Sequence, residues 1–108
     1  MPASFRDLRV WQESIDLTAA IYQQTRRFPK HETYGLTQQV RRAAVSVASN
    51  IAEGKGHRSD KEFLHFLFHA RGLLLELQTQ LIIATKLEYQ PDDESRKLSA
   101  MAEEWGVL

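Results

Sequence analysis

Glu62, His65 and His69 lie at steps of three and four, a spacing that stacks three metal-competent side chains on one face of a helix. A Glu-x-x-His pair is how four-helix di-metal proteins hold iron, but such sites need a second pair and two further glutamates. Only one copy is present. Gly72 and Glu76 extend the line at the same steps, so a solvated or pore-facing stripe is the better reading, with no metal and no cofactor expected. Gly54-Lys55-Gly56-His57 resembles a phosphate loop only superficially. The loop needs an earlier glycine where Ser49 stands and a Ser or Thr where Gly56 stands. Ser46 and Ser49 sit in an apolar segment without a Gly-x-Ser-x-Gly elbow. Without cysteine there is no thiolate zinc site, Cys nucleophile or disulfide framework. The chain reads as a non-enzyme.

Charge placement says more. Fourteen Lys/Arg cancel fourteen Asp/Glu, yet residues 1–61 hold ten basic against six acidic and residues 62–108 four against eight. Arg26, Arg27 and Lys30 close one segment, Arg41 and Arg42 sit on the next, and Lys55, Arg58 and Lys61 line a turn. Such clusters neutralise phosphates. Helix-dipole compensation also explains Arg26 and Arg27, and solvated faces explain the rest. For a monomer the solvated reading is stronger. In a symmetric oligomer each patch repeats, building a basic surface despite zero net charge. Arg41, Arg42, Lys55, Arg58 and Lys61 are the candidate nucleic-acid-binding residues.

The elements that must carry these residues are helical. One hundred and eight residues, 43% apolar and 26% charged, suit one domain over 1–108. No run approaches the ~20 apolar residues of a membrane span, and the opening residues lack the apolar core of a signal peptide. No membrane partner and a cytoplasmic location are expected. Leu8, Trp11, Ile15, Thr18 and Tyr22 repeat at three and four, with Val10, Leu17 and Ile21 on the adjoining face. Pro29 disfavours helix at Phe28, which predicts a first helix over about 8–27. A second, over 36–53, carries Leu36, Val40, Ala43, Ala44, Val47 and Ile51, with Thr37 or a residue around it capping its start and Gly54 and Gly56 as a left-handed C-terminal cap. Ser59 and Glu62 form a capping box for a third over 60–89, stopped by Pro91. Its seam is Phe63, Leu67, Ala70, Leu74, Leu77, Leu81 and Ala84. A last helix over 93–105 turns Leu98, Met101, Ala102 and Trp105 inward. The fold class is all-α.

The third helix carries more apolar surface than one seam uses. Leu64, Phe68, Leu75 and Ile82 form a second stripe, with Phe66 and Leu73 on a third flank. Either the helix is wrapped within a monomer or the stripe meets another copy of the chain, as large exposed apolar patches do. The second reading is favoured, with the stripe as candidate oligomer interface.

Phe28-Pro29, Glu32, Tyr34-Gly35-Leu36, Gln39, Arg41-Arg42-Ala43-Ala44 and the run Ser46 to Gly54, with Ala70-Arg71-Gly72 and Leu75 to Leu81, carry a resemblance. They resemble the signature of the four-helix-bundle proteins encoded in intervening sequences of bacterial 23S rRNA genes, over roughly residues 5–90. Ser46, Ser49, Asn50, Glu53 and Gly54 stand at its most specific stretch. The resemblance implies an antiparallel up-down-up-down bundle assembling into a ring-like homo-oligomer, a pentamer being the most familiar form, and no enzymatic activity. The chain is also similar to the accessory protein of diversity-generating retroelements, which works with a reverse transcriptase and nucleic acid. The partners implied are further copies of the chain, RNA or DNA, and a nucleic-acid-processing protein. Two departures stand out: Ala48 replaces a usual proline, implying a straighter second helix, and the last helix is short.

The expected function is a non-catalytic oligomeric module that binds nucleic acid, or alternatively a protein-interaction scaffold without nucleic-acid binding. Asn50 and Glu53 are expected to hold the turn after the second helix, by bonding toward donors between Lys55 and Ser59 or toward a basic neighbour.

Overall fold

The apolar steps of three and four become four α-helices in the computed structural model, which describes residues 4–57 and 59–103, with only the backbone of 94, 95, 99 and 101–103. These are α1 (Arg9–Thr25), α2 (Leu36–Gly56), α3 (Asp60–Lys86) and α4 (Asp92–Glu103), with short 3-10 turns at Phe5–Asp7 and Lys30–Glu32. No strand occurs among the described residues. α2 packs against α1 on one side and α3 on the other, and α4 lies against α3 and α1. Leu17, Ile21, Val40, Val47, Ile51, Leu77 and Leu81 form the fully enclosed centre. Leu98 of α4 is buried beside them, while the side chains of Met101 and Ala102, and all of Trp105, lie outside the described residues.

The buried faces of α2 and α3 follow the predicted seams, with Phe63 and Leu67 half-buried at the open end. α1 is rotated from expectation. Ile15 is 42% exposed and Tyr22 is also exposed, while Ser14, Gln24 and Thr25 turn inward beside Leu17 and Ile21. The polar residues are tolerated because two satisfy themselves within the helix. Ser14 Oγ donates to the Trp11 carbonyl at 2.6 Å and Thr25 Oγ1 to that of Ile21 at 2.8 Å. A count of apolar residues alone therefore gives α1 the wrong inner face.

Helix ends differ too. α2 is capped at its start by Glu32 and not by Thr37: Leu36 N–H donates to Glu32 Oε1 at 3.0 Å. An added Cβ at Gly35 would collide with that same oxygen. At the far end α2 runs through to Gly56, and neither glycine has a positive φ. Gly54 serves packing instead. A Cβ there would meet Phe66 Cβ at 2.5 Å and Phe63 Cδ1 at 3.1 Å, so the missing side chain admits α3. Ser59 Oγ accepts the Glu62 N–H at 3.1 Å as the capping box requires, but the Glu62 carboxylate turns to His57 Nδ1 at 2.7 Å. α3 ends at Lys86, before Pro91 could stop it. Glu88 takes a left-handed φ of 62°, and Tyr89 N–H reaches back to the Ala84 carbonyl at 2.9 Å.

Candidate nucleic-acid interface

Arg41 and Arg42 are consecutive on α2, so their side chains diverge by about 100° and have different tasks. Arg41 is half-buried against α1. Its Nε donates to Thr25 Oγ1 at 2.9 Å and a terminal nitrogen to the Tyr22 carbonyl at 3.4 Å, with the guanidinium 4.6 Å above the Tyr22 ring centre. The charge is thereby held in one place, with three of the five guanidinium donors left over. Arg42 is exposed and has no partner among the described residues. Both line an open groove of about 420 Å³, together with Tyr22, Thr33, Tyr34, Thr37, Gln38, Val45 and Ser46. No carboxylate is among these residues. Hydroxyl and amide groups supply neutral hydrogen-bonding partners, and Tyr34, 88% exposed, lines the groove with them.

The candidate basic residues do not form one site. Lys55 lies fourteen positions beyond Arg41 on α2, a separation of roughly 21 Å at 1.5 Å per residue. Lys55 is half-buried with its Nζ 5.9 Å from the Phe63 ring centre. Lys61 is exposed beside a second depression, shared with Ser59, Glu62, His65 and Phe66. There Glu62 pairs with His57, whose ring stacks on Phe66 at 4.9 Å. The cationic character of this end is thus offset by a carboxylate that the Arg41–Arg42 groove lacks. Arg58 lies outside the described residues.

The signature stretch has an architectural geometry unlike the one expected. Asn50 Nδ2 donates to the Ser46 carbonyl one turn back at 2.8 Å, without reaching the turn. Glu53 is exposed and unpaired among the described residues. The turn is held by Ser59, His57 and Glu62. Ser46 lines the basic groove; Ser49 faces a neighbouring apolar one.

That second groove also runs between α1 and α2, where Trp11, Ile15 and Thr18 oppose Val45, Ala48, Ser49 and Ala52. Thr18 Oγ1 donates to the Ala44 carbonyl at 3.1 Å, tying the helices beneath it. Val45 lines both grooves. On α3, Leu64, Phe68, Leu75 and Ile82 are all exposed, Phe68 by 53%, so the chain's own helices leave the stripe uncovered. Glu62, His65, His69, Gly72 and Glu76 are exposed as well. Among the described residues no cluster of three or more His, Asp or Glu is placed to hold a metal, and no helix is long and apolar enough to cross a membrane.

Sequence reasoning missed Tyr22 and Tyr34 as walls of the groove. The available signal was Tyr34 itself, a large aromatic residue inside the polar connector 30–35.

A family model described as 23S rRNA-intervening sequence protein matches residues 6–108. A crystal structure from Bacteroides thetaiotaomicron, of a protein of unknown function from the S23 ribosomal protein family, superposes with a TM-score of 0.82 at 18% identity, covering 91% of this chain and 92% of that one. At that identity the likeness is one of fold. No curated protein matches.

Proposed function

The chain belongs to the 23S rRNA-intervening sequence protein family, and we propose that it is a non-catalytic bundle that forms a ring-like homo-oligomer and binds RNA or DNA through basic residues repeated around the ring. The observation that carries the nucleic-acid part is the Arg41–Arg42 groove: two cations, one of them unpaired, in an open concavity with no carboxylate on its walls. Phosphates gain affinity wherever cations are presented without competing anions. The groove favours Arg41 and Arg42 over Lys61, whose depression includes Glu62, and over Lys55, which sits against the Phe63 ring.

An up-down-up-down course is supported at both ends of the α2–α3 pair. Tyr89, just after α3, reaches Glu32, just before α2, while Phe66 near the start of α3 packs on Gly54 near the end of α2. Assembly is supported by two apolar faces built from different elements, the α3 stripe and the α1–α2 groove. A two-fold dimer pairs a patch with itself; two unlike patches suit head-to-tail contacts, which close into rings where the rotation between neighbours allows. A pentamer is the form the family resemblance implies. Each subunit then joins two interfaces, which helps offset the ~4–15 kcal/mol entropic cost of association. The setting is cytoplasmic, with a nucleic-acid-processing protein as a further partner.

Anisotropy of a labelled oligonucleotide, titrated with protein at rising salt, tests the reading. Affinity should fall steeply and linearly on logarithmic axes. An oligomer that binds no oligonucleotide even at low salt contradicts it and favours a protein-interaction scaffold.

A further inference from the structure

Tyr34 offers a ring with no partner among the described residues. It is 88% exposed in the connector before α2 and lines the groove that holds Arg41 and Arg42. Tyr22 differs: one face of its ring is already covered by the Arg41 guanidinium. Tyr34 is thus the free aromatic platform and Arg42 the free cation, both lining one concavity.

We propose that this groove is a binding site for single-stranded nucleic acid, in which an unpaired base stacks on Tyr34 and an adjacent phosphate is met by Arg42. The inference rests on the nucleic-acid reading above and narrows it to one strand type and one subsite. Stacking on a side chain needs a base whose face is open, and a duplex hides those faces. The groove volume of about 420 Å³ falls among those that hold small ligands. Thr37 and Gln38 offer donors and acceptors for a base edge without fixing its identity. Arg41, immobilised by Thr25 and Tyr22, supplies a second charge already in position, which lowers the ordering cost of binding.

The test uses three labelled probes of equal length: an oligouridylate, an oligothymidylate and a mixed-sequence duplex, each measured by anisotropy at low salt. Either single strand should bind more tightly than the duplex. Tyr34→Ala should weaken single-strand binding about tenfold, the scale of one base–aromatic stack, and leave duplex binding unchanged. Tyr34→Phe should retain the affinity, while Arg42→Gln should weaken all three probes. The exposure of Tyr34 keeps the fold out of the comparison, which circular dichroism confirms. Tyr34→Ala with unaltered single-strand affinity, or with equal losses on duplex and single strand, overturns the stacking site while salt-dependent binding persists. Failure of all three probes to bind overturns the nucleic-acid reading as well.

Discussion

The Tyr89 hydroxyl donates to Glu32 Oε2 at 2.7 Å, while Oε1 of the same carboxylate accepts the Leu36 N–H at 3.0 Å. One side chain thus caps α2 and fastens the residue just after α3, beside Phe28, whose ring lies 5.7 Å from that of Tyr89. This relationship accounts for Phe28, Glu32, Gly35 and Leu36 in the resemblance motif. Phe28 packs, Glu32 accepts, Leu36 donates, and Gly35 leaves room for the carboxylate.

Acid stability should report on this bond. The Leu36 N–H first, then the Tyr89 hydroxyl, with the His31 charge adding to both, hold the Glu32 carboxyl below its ordinary value. A lowered folded-state pKa contributes stability that is complete above the ordinary carboxylate value and is lost as pH falls through the lower folded one. Tyr89→Phe should lower the melting temperature near neutral pH and make its decline across that acid interval shallower. An unchanged acid limb would show that the Tyr89 bond does not hold the carboxylate.

Gly54 and Gly72 should respond oppositely to alanine. At Gly54 the new methyl meets the Phe66 Cβ, an atom anchored to backbone, so the ~1 kcal/mol gain in helix propensity yields to overpacking of about 1–3 kcal/mol. At Gly72 nothing lies within 4 Å of the added atom, so the propensity gain stands alone. Chemical denaturation should show Gly54→Ala destabilised and Gly72→Ala stabilised by about 1 kcal/mol.

Glu88 bears a left-handed φ of 62° where helix termini favour glycine. That conformation costs other residues roughly 1–2 kcal/mol, against about 0.5–1 kcal/mol of extra chain entropy for glycine. Glu88→Gly should therefore raise stability by up to about 1.5 kcal/mol, read from the denaturation midpoint.

Arg41 and Arg42 separate stability from binding. Arg41→Ala removes two hydrogen bonds and a cation–ring contact, and should cost about 1–2 kcal/mol of folding stability as well as affinity. Arg42→Ala should leave the melting temperature unchanged and weaken oligonucleotide binding. Equal melting losses in both variants would contradict the division of labour between them.

The fold was largely legible because α2 and α3 bury uninterrupted apolar faces: Val40, Val47 and Ile51 on one, Leu74, Leu77 and Leu81 on the other. α1 was not, because Ser14, Gln24 and Thr25 are buried by helix geometry, with the Ser14 and Thr25 hydroxyls satisfied locally, leaving Ile15 and Tyr22 outside. Gly54 read as a cap because glycine near a helix end has two uses, and only the position of Phe66 tells them apart. The candidate site was half legible. Adjacency gave Arg41 with Arg42, but helical rise put Lys55 and Lys61 at the other end, and the Tyr34 platform depends on how the connector presents it.

Sedimentation velocity at micromolar protein, with a labelled single-stranded oligonucleotide followed at its own wavelength, reads assembly and binding in one experiment. The oligonucleotide should travel with a particle several times the 12.5 kDa of the chain. Phe68→Glu, at a side chain 53% exposed in the subunit, should give a folded monomer that binds the oligonucleotide more weakly. A wild-type particle of 12.5 kDa, or an oligomer from which the oligonucleotide sediments separately at low salt, would contradict the proposed function.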